Sequence, residues 1–283
     1  MNLSHKENAD NEARIIGEIL DDICCKYEQN NDYFLQNSSD RQSLLYSSTG
    51  LFPRIKSCAI PGCKSKSVKH SHTIQKSYSL NLIAEKNHVY TPSFNKKTGN
   101  VKMKRVGINR ASTFPGFCKE HERVFSKFES AKEINSEGAI ILQIFRTITR
   151  ELIAKESEAN NLEKAKITYL KFRQNKLLTL LSDEIKRRLP GSKHKIQSIK
   201  IDYADKVLYT LNQRIDFVKS DLQLLKDNFF FPIYRHIFLN KEASLSLIHI
   251  DNGYQIPVCL AGRGNFTVNE GRTIHDVPVI INA

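Results

Sequence analysis

Two close pairs of soft ligand atoms stand out from this chain. Cys58-Ala59-Ile60-Pro61-Gly62-Cys63 sets two thiols either side of a Pro-Gly turn. Phe117-Cys118-Lys119-Glu120-His121 sets a thiol and an imidazole three residues apart where a helix begins. A tetrahedral zinc ion takes such a donor set: a tight knuckle presents two thiolates, and the first turn of a helix presents the third and fourth ligands. A helix N-terminus also favours thiolate over thiol, through its dipole and its unbonded N–H groups. The 54 residues between the pairs exceed the spacing of a simple finger. Within that gap lies Lys69-His70-Ser71-His72-Thr73-Ile74-Gln75-Lys76. On a strand His70 and His72 face the same side, so either could be the fourth zinc ligand, with His121 outside the shell. The competing reading treats the cysteines as small buried apolar residues. Three of the six, together with His121, would then have fallen into a knuckle and a helix start by chance.

The elements that position these groups follow from the periodicity. From Ala13 to Lys26 the residues Ile15, Ile16, Ile19, Leu20, Ile23 and Cys24 form a helical stripe. Residues 1–10 read as frayed, and Cys24-Cys25 as packing rather than as ligands, because adjacent cysteines share one zinc poorly. Residues 29–50, rich in Asn, Asp, Gln and Ser, read as a linker. Within the module, Ser79 to Ala84 suits one helical turn and Asn87 to Thr91 a strand. Asn95 to Asn100 suits a hairpin loop, Val101 to Ile108 the returning strand, and Lys119 to Phe128 the helix carrying the last ligands. Helical stripes then run through Ile141, Ile144, Phe145, Ile148 and Leu152, from Leu162 to Leu189 where Pro190-Gly191 stops them, and from Asp202 to Lys226. From Phe229 the composition turns to β, with strands expected at Ile237 to Leu239, Ser244 to Ile250 and Gln255 to Leu260. Gly262-Arg263-Gly264 reads as a turn, and the apolar ending Val277 to Ala283 as a strand cut short.

Charge points to the partner. The chain carries a formal net charge of +13, with 40% hydrophobic and 26% charged residues. From Arg54 to Lys119 there are fourteen Lys or Arg, against Glu85 inside the segment and Glu120 just beyond it. A basic block around a metal site is the electrostatic footprint of a nucleic-acid contact; the blander alternatives are a solvated face or an anionic membrane surface. No apolar run approaches the roughly 20 residues that span a bilayer, so no membrane partner is expected. The polar N-terminus and the absence of a disulfide framework point to the reducing cytoplasm.

Ser71-His72-Thr73-Ile74-Gln75-Lys76-Ser77, set between a Cys pair and a Cys-containing helix, resembles the zinc-bearing H-N-H (His-Me finger) nucleases. It is similar as well to a group of bacterial proteins of unknown function with Ser-His-Thr-Ile and Phe-Cys-x-x-His elements. The resemblance covers residues 58–125. It implies structural zinc on Cys58, Cys63, Cys118 and His121, with His72 as general base to a water attacking phosphorus. It also sets Glu122 where the family has a metal-binding His, and glutamate suits Mg²⁺ or Mn²⁺. The chain departs from the pattern at Ser71, where the family has a metal-binding Asp, and at Thr113, near its orienting Asn.

The expected class is α+β: a treble-clef-like zinc module followed by long helices and a small C-terminal β region. The expected divisions are 1–50 (helix and polar linker), 51–130 (zinc-binding basic module), 131–228 (helical) and 229–283 (β-rich). The expected function is zinc-dependent binding of DNA or RNA, with Lys102, Lys104 and Arg105 on the hairpin as contacts. An active metal-dependent nuclease is the second reading, and an interaction protein with purely structural zinc the third.

Overall fold

The fold is taken from a computed structural model, which describes residues 2–29, 52, 56–94, 100–130, 136–191, 206–242, 260–267 and 273–281. It mixes helices with small two-stranded sheets. In chain order these are α1 (Asn2–Gln29), β1 (Ser71–His72), β2 (His88–Phe94), β3 (Val101–Gly107), β4 (Thr113–Phe114), α2 (Lys119–Glu122), α3 (Ser126–Glu129), α4 (Glu137–Arg188), α5 (Lys206–Leu225), α6 (Phe231–Leu239), β5 (Leu260–Thr267) and β6 (Thr273–Ile281). The chain forms two compact units. One comprises Met1–Thr49 and Asn160–Asp216, the other Gly50–Ala159 and Phe217–Ala283.

In the first unit, α1 and the later part of α4 bury their apolar stripes together. Ile19, Leu181 and Ile185 are buried, and Ile15, Ile16, Leu20, Ile23 and Leu189 pack around them. Arg188 pairs with Asp22 beside that seam. Helix α1 begins at Asn2, so residues 2–10 are helical where fraying was expected. Cys25 is exposed rather than packed.

The second unit holds the ligand pairs. Its core gathers Phe114, Phe117 and Phe125 from the segment around the second pair with Phe145, Ile148, Leu152 and Ile153 of α4. Leu225, Phe230 and Ile233 complete it. Phe145 is wholly buried; it stacks on Phe230 at a centroid distance of 5.4 Å and meets Phe117 at 5.9 Å and Phe238 at 5.7 Å. Aromatic rings supply a large buried area per residue, and offset or tilted pairs add to it. The expectation of β structure from Phe229 is corrected here, because Phe231–Leu239 is helical with Pro232 in its first turn. Ile233, Ile237 and Phe238 recur at helical spacing and all reach the core, so periodicity outweighs the β-rich composition.

The described strands form three antiparallel pairs, two of them within the module. β1 pairs with β4, setting Ser71 opposite Phe114 and His72 opposite Thr113. β2 and β3 form a ribbon in which Val89 faces Val106, Tyr90 faces Arg105, Thr91 faces Lys104 and Ser93 faces Lys102. Val89 anchors its base in a small cluster with Leu80, Ile108 and Ala111. The hairpin loop expected over 95–100 lies almost wholly outside the described residues. The ligand-bearing helix expected over 119–128 is three short pieces: α2, a 3₁₀ turn at Arg123–Phe125, and α3. β5 pairs with β6 through an irregularity between Gly264 and Phe266. Gly262-Arg263-Gly264 therefore lies within a strand instead of a turn, where glycine beside a bulge is common. The strand expected at 244–250, and all but Leu260 of that expected at 255–260, lie outside the described residues.

Truncating the ring at the centre of this core tests it. Phe145→Ala should destabilise the unit by about 3–5 kcal/mol, read as a lowered urea midpoint with an unchanged slope.

Candidate metal centre

The first ligand pair is presented by a knuckle built from backbone bonds. Ser57 and Lys66 form an isolated antiparallel bridge. The Cys58 N–H donates to Ser65 O at 2.8 Å, and the Cys63 N–H donates to Ile60 O at 3.1 Å. Gly62 takes φ +79° at the turn, a left-handed conformation that glycine adopts without Cβ strain. The second pair starts from Cys118, which caps α2 in extended conformation (φ −78°, ψ 169°). Its carbonyl accepts the Glu122 N–H at 2.8 Å, and the helical turn brings His121 back over Cys118.

The two pairs converge. Ligand atoms of Cys58, Cys63, Cys118 and His121 all lie within 4.8 Å of one another. His121 Nδ1 is 3.4 Å from Cys58 Sγ and 3.2 Å from Cys118 Sγ, and Cys63 Sγ is 3.9 Å from Cys118 Sγ. Zn–S bonds of about 2.3 Å and Zn–N bonds of about 2.0–2.1 Å set tetrahedral donor–donor edges of about 3.5–3.8 Å. The observed separations bracket those edges, so the four residues could hold a metal ion such as zinc. Burial pushes the Cys58 thiol up to about 11, whereas the Ser65 backbone N–H draws the Cys63 thiol down. A bound cation would reverse the first effect, since a coordinating thiol is deprotonated. The His121 ring also meets Phe238 edge-on at 5.8 Å, which joins the ligand set to the aromatic core. His70 and His72 lie outside the ligand group.

His72 opens instead onto a second feature, a cleft of about 380 Å³ lined with it by Lys119, Glu122, Arg123, Glu129 and Arg146. Its Nδ1 is buried with no hydrogen-bond partner. Burial lowers its affinity for a proton below the ordinary histidine value of 6.5, reinforced by Arg146 and Lys76 and opposed by Glu129 and the Ala111 backbone. The imidazole is therefore held neutral near pH 7, the form able to accept a proton. Glu122, the expected holder of Mg²⁺ or Mn²⁺, is heavily engaged: Ser71 Oγ donates to its Oε2 at 2.8 Å, and Arg146 Nη2 bonds its Oε1. Arg146 also bonds Glu129 and lies 4.4 Å over the Phe125 ring. Thr113, opposite His72, donates its hydroxyl to Arg110 O at 3.0 Å.

Arg146 is the residue that sequence reasoning missed. It is 2% exposed, one position after Phe145 in α4, and an arginine set between Ile144, Phe145 and Ile148 is the signal that could have found it. Ser71, which stands where the H-N-H pattern has an aspartate, donates its hydroxyl to Glu122. Lys102, Lys104 and Arg105 are exposed on β3, along an open groove of about 510 Å³ that also includes Ser93 and Met103.

The chain matches no protein-family model, no curated protein and no solved structure. Among the described residues, no helix is long and apolar enough to cross a membrane.

The ligand geometry makes a direct expectation. Purified protein should carry about one equivalent of zinc by elemental analysis, and Cys118→Ala should lose the metal together with order in residues 56–130. Stoichiometric zinc kept by that variant would remove Cys118 from the ligand set.

Proposed function

We propose that the chain is a zinc-dependent nucleic-acid-binding protein, in which an H-N-H-like, treble-clef-like module carries a basic ribbon that contacts DNA or RNA. The observation that carries this reading is the insertion of β2–β3 between the two ligand pairs, with Lys102, Lys104 and Arg105 exposed on it. Neither strand contains an acidic residue. Metal ligands that close on each other across the insertion would hold both of its ends, so the positive charge is presented on a fixed base. The order knuckle, hairpin, ligand-bearing helix supports the treble-clef comparison. The pairing of Ser71-His72 with Thr113-Phe114 ahead of a ligand-bearing helix supports the H-N-H comparison.

An active nuclease remains the second reading, favoured by a neutral His72 facing an open cleft. The charge balance at Glu122 favours binding without cleavage. A carboxylate neutralised by a buried arginine attracts Mg²⁺ or Mn²⁺ poorly, and phosphoryl-transfer sites usually offer one or two carboxylates along with the phosphate. If cleavage occurs, His72→Ala abolishes it while zinc content and binding persist.

Binding should weaken steeply with salt, because each phosphate neutralised releases counterions. Replacing Lys102, Lys104 or Arg105 singly by Ala should lower the slope of log K against log salt by about 0.7–0.9 each, measured by fluorescence anisotropy. Affinity indifferent to salt, or no binding at low salt, would overturn the proposal.

A further inference from the structure

The ribbon has two unlike faces. Cross-strand partners share a face and successive residues alternate. The register therefore sets Tyr90, Arg105, Pro92, Met103 and Val101 on one face and Thr91, Lys104, Ser93 and Lys102 on the other. The first face is apolar yet open: Tyr90 is 62% exposed, Met103 61% and Val101 65%. Among the described residues neither strand pairs with a third, so the outer edge of β3 separates an aromatic face from a lysine face.

We infer that this ribbon binds single-stranded nucleic acid, with bases stacked on the Tyr90 face and phosphates held by Lys102 and Lys104 around the edge of β3. The inference rests on the nucleic-acid-binding reading and narrows its substrate class. Charge complementarity selects a polyanion, since the ribbon carries cations and no acid. The Tyr90 face then selects among polyanions. A duplex hides the flat faces of its bases and offers a reader only their hydrogen-bonding edges. This face supplies one side chain suited to reading such edges with several donors, Arg105, set among Tyr, Met, Val and Pro. Unpaired bases expose the surface that an aromatic ring covers, and an arginine beside the ring adds a cation–π contact. Successive same-face residues on a strand lie about 6.8 Å apart, so Lys102 and Lys104 reach separate points along an extended backbone.

Anisotropy with labelled oligo-dT and oligo-U of ~16 nucleotides, and with a blunt duplex of equal length, provides the test on the full-length chain. Both single strands should bind more tightly than the duplex. Tyr90→Ala should weaken single-strand binding roughly 5- to 100-fold with an unchanged salt slope, and Tyr90→Phe should keep most of the affinity. Lys102→Ala and Lys104→Ala should each lower the slope by about 0.7. Tyr90 is exposed, so a circular dichroism spectrum matching the parent will show that a loss is not one of folding. Duplex binding equal to or tighter than single-strand binding, or a Tyr90→Ala variant that binds as the parent does, overturns this inference and leaves the broader reading standing. No binding to any of the three probes at low salt overturns both.

Discussion

The structure of the second unit depends on bringing three thiols and an imidazole together across a long insertion. Chain entropy opposes closing a loop of that length, and burial opposes ionising the Cys58 thiol. Two features offset these costs without a metal. Backbone bonds preform the knuckle around Gly62, and an aromatic core lies directly beneath the second pair. A bound cation would supply the remaining attraction, because its bonds to thiolate sulfur form only when both ends of the insertion are home.

Charge is handled in two opposite ways in this unit. Arg146 is buried, paired with Glu122 and Glu129 and set over the Phe125 ring. A buried cation without such partners would be strongly destabilising, so the two glutamates are tied to the arginine rather than left open to solvent. Ser71 adds a neutral donor to the same network and also accepts the Phe117 N–H at 3.4 Å. The ribbon cations instead remain in solvent, where their field reaches a partner before contact. The distinction separates groups that hold the site in shape from groups available to a ligand.

His72 lies between these regimes. Its position on β1 opposite Thr113 is set by the strand pairing, while the wall of its cleft is made by α2, α3 and α4. Its neutral state is a product of burial and of the neighbouring arginine and lysine. The nuclease reading proposed above would give this residue a proton-accepting role. The neighbourhood supplies the protonation state but engages the carboxylate that would accompany it.

Much of the site was legible in the residues themselves. The spacing of Cys58 with Cys63, and of Cys118 with His121, encodes ligand pairs because a knuckle and a helical turn are local structures with fixed geometry. The turn composition of Asn95 to Asn100 between two strand-like runs marked the ribbon for the same reason, and helical stripes marked α1, α4 and α5. What local pattern could not decide was where separate segments meet. His121, rather than His70 or His72, completes the ligand group because α2 folds back onto the knuckle, which is a tertiary event. The resemblance places Glu122 where a carboxylate could hold Mg²⁺ or Mn²⁺, but its environment depends on Arg146, 24 positions further along the chain. The helix at Phe231–Leu239 was masked by a β-rich composition until its packing against Phe145 showed which period governed. Sequence alone determined which groups could do chemistry and the local geometry that presents them; only the tertiary structure decided which stand together and which are neutralised, because those outcomes depend on contacts between residues distant in the chain.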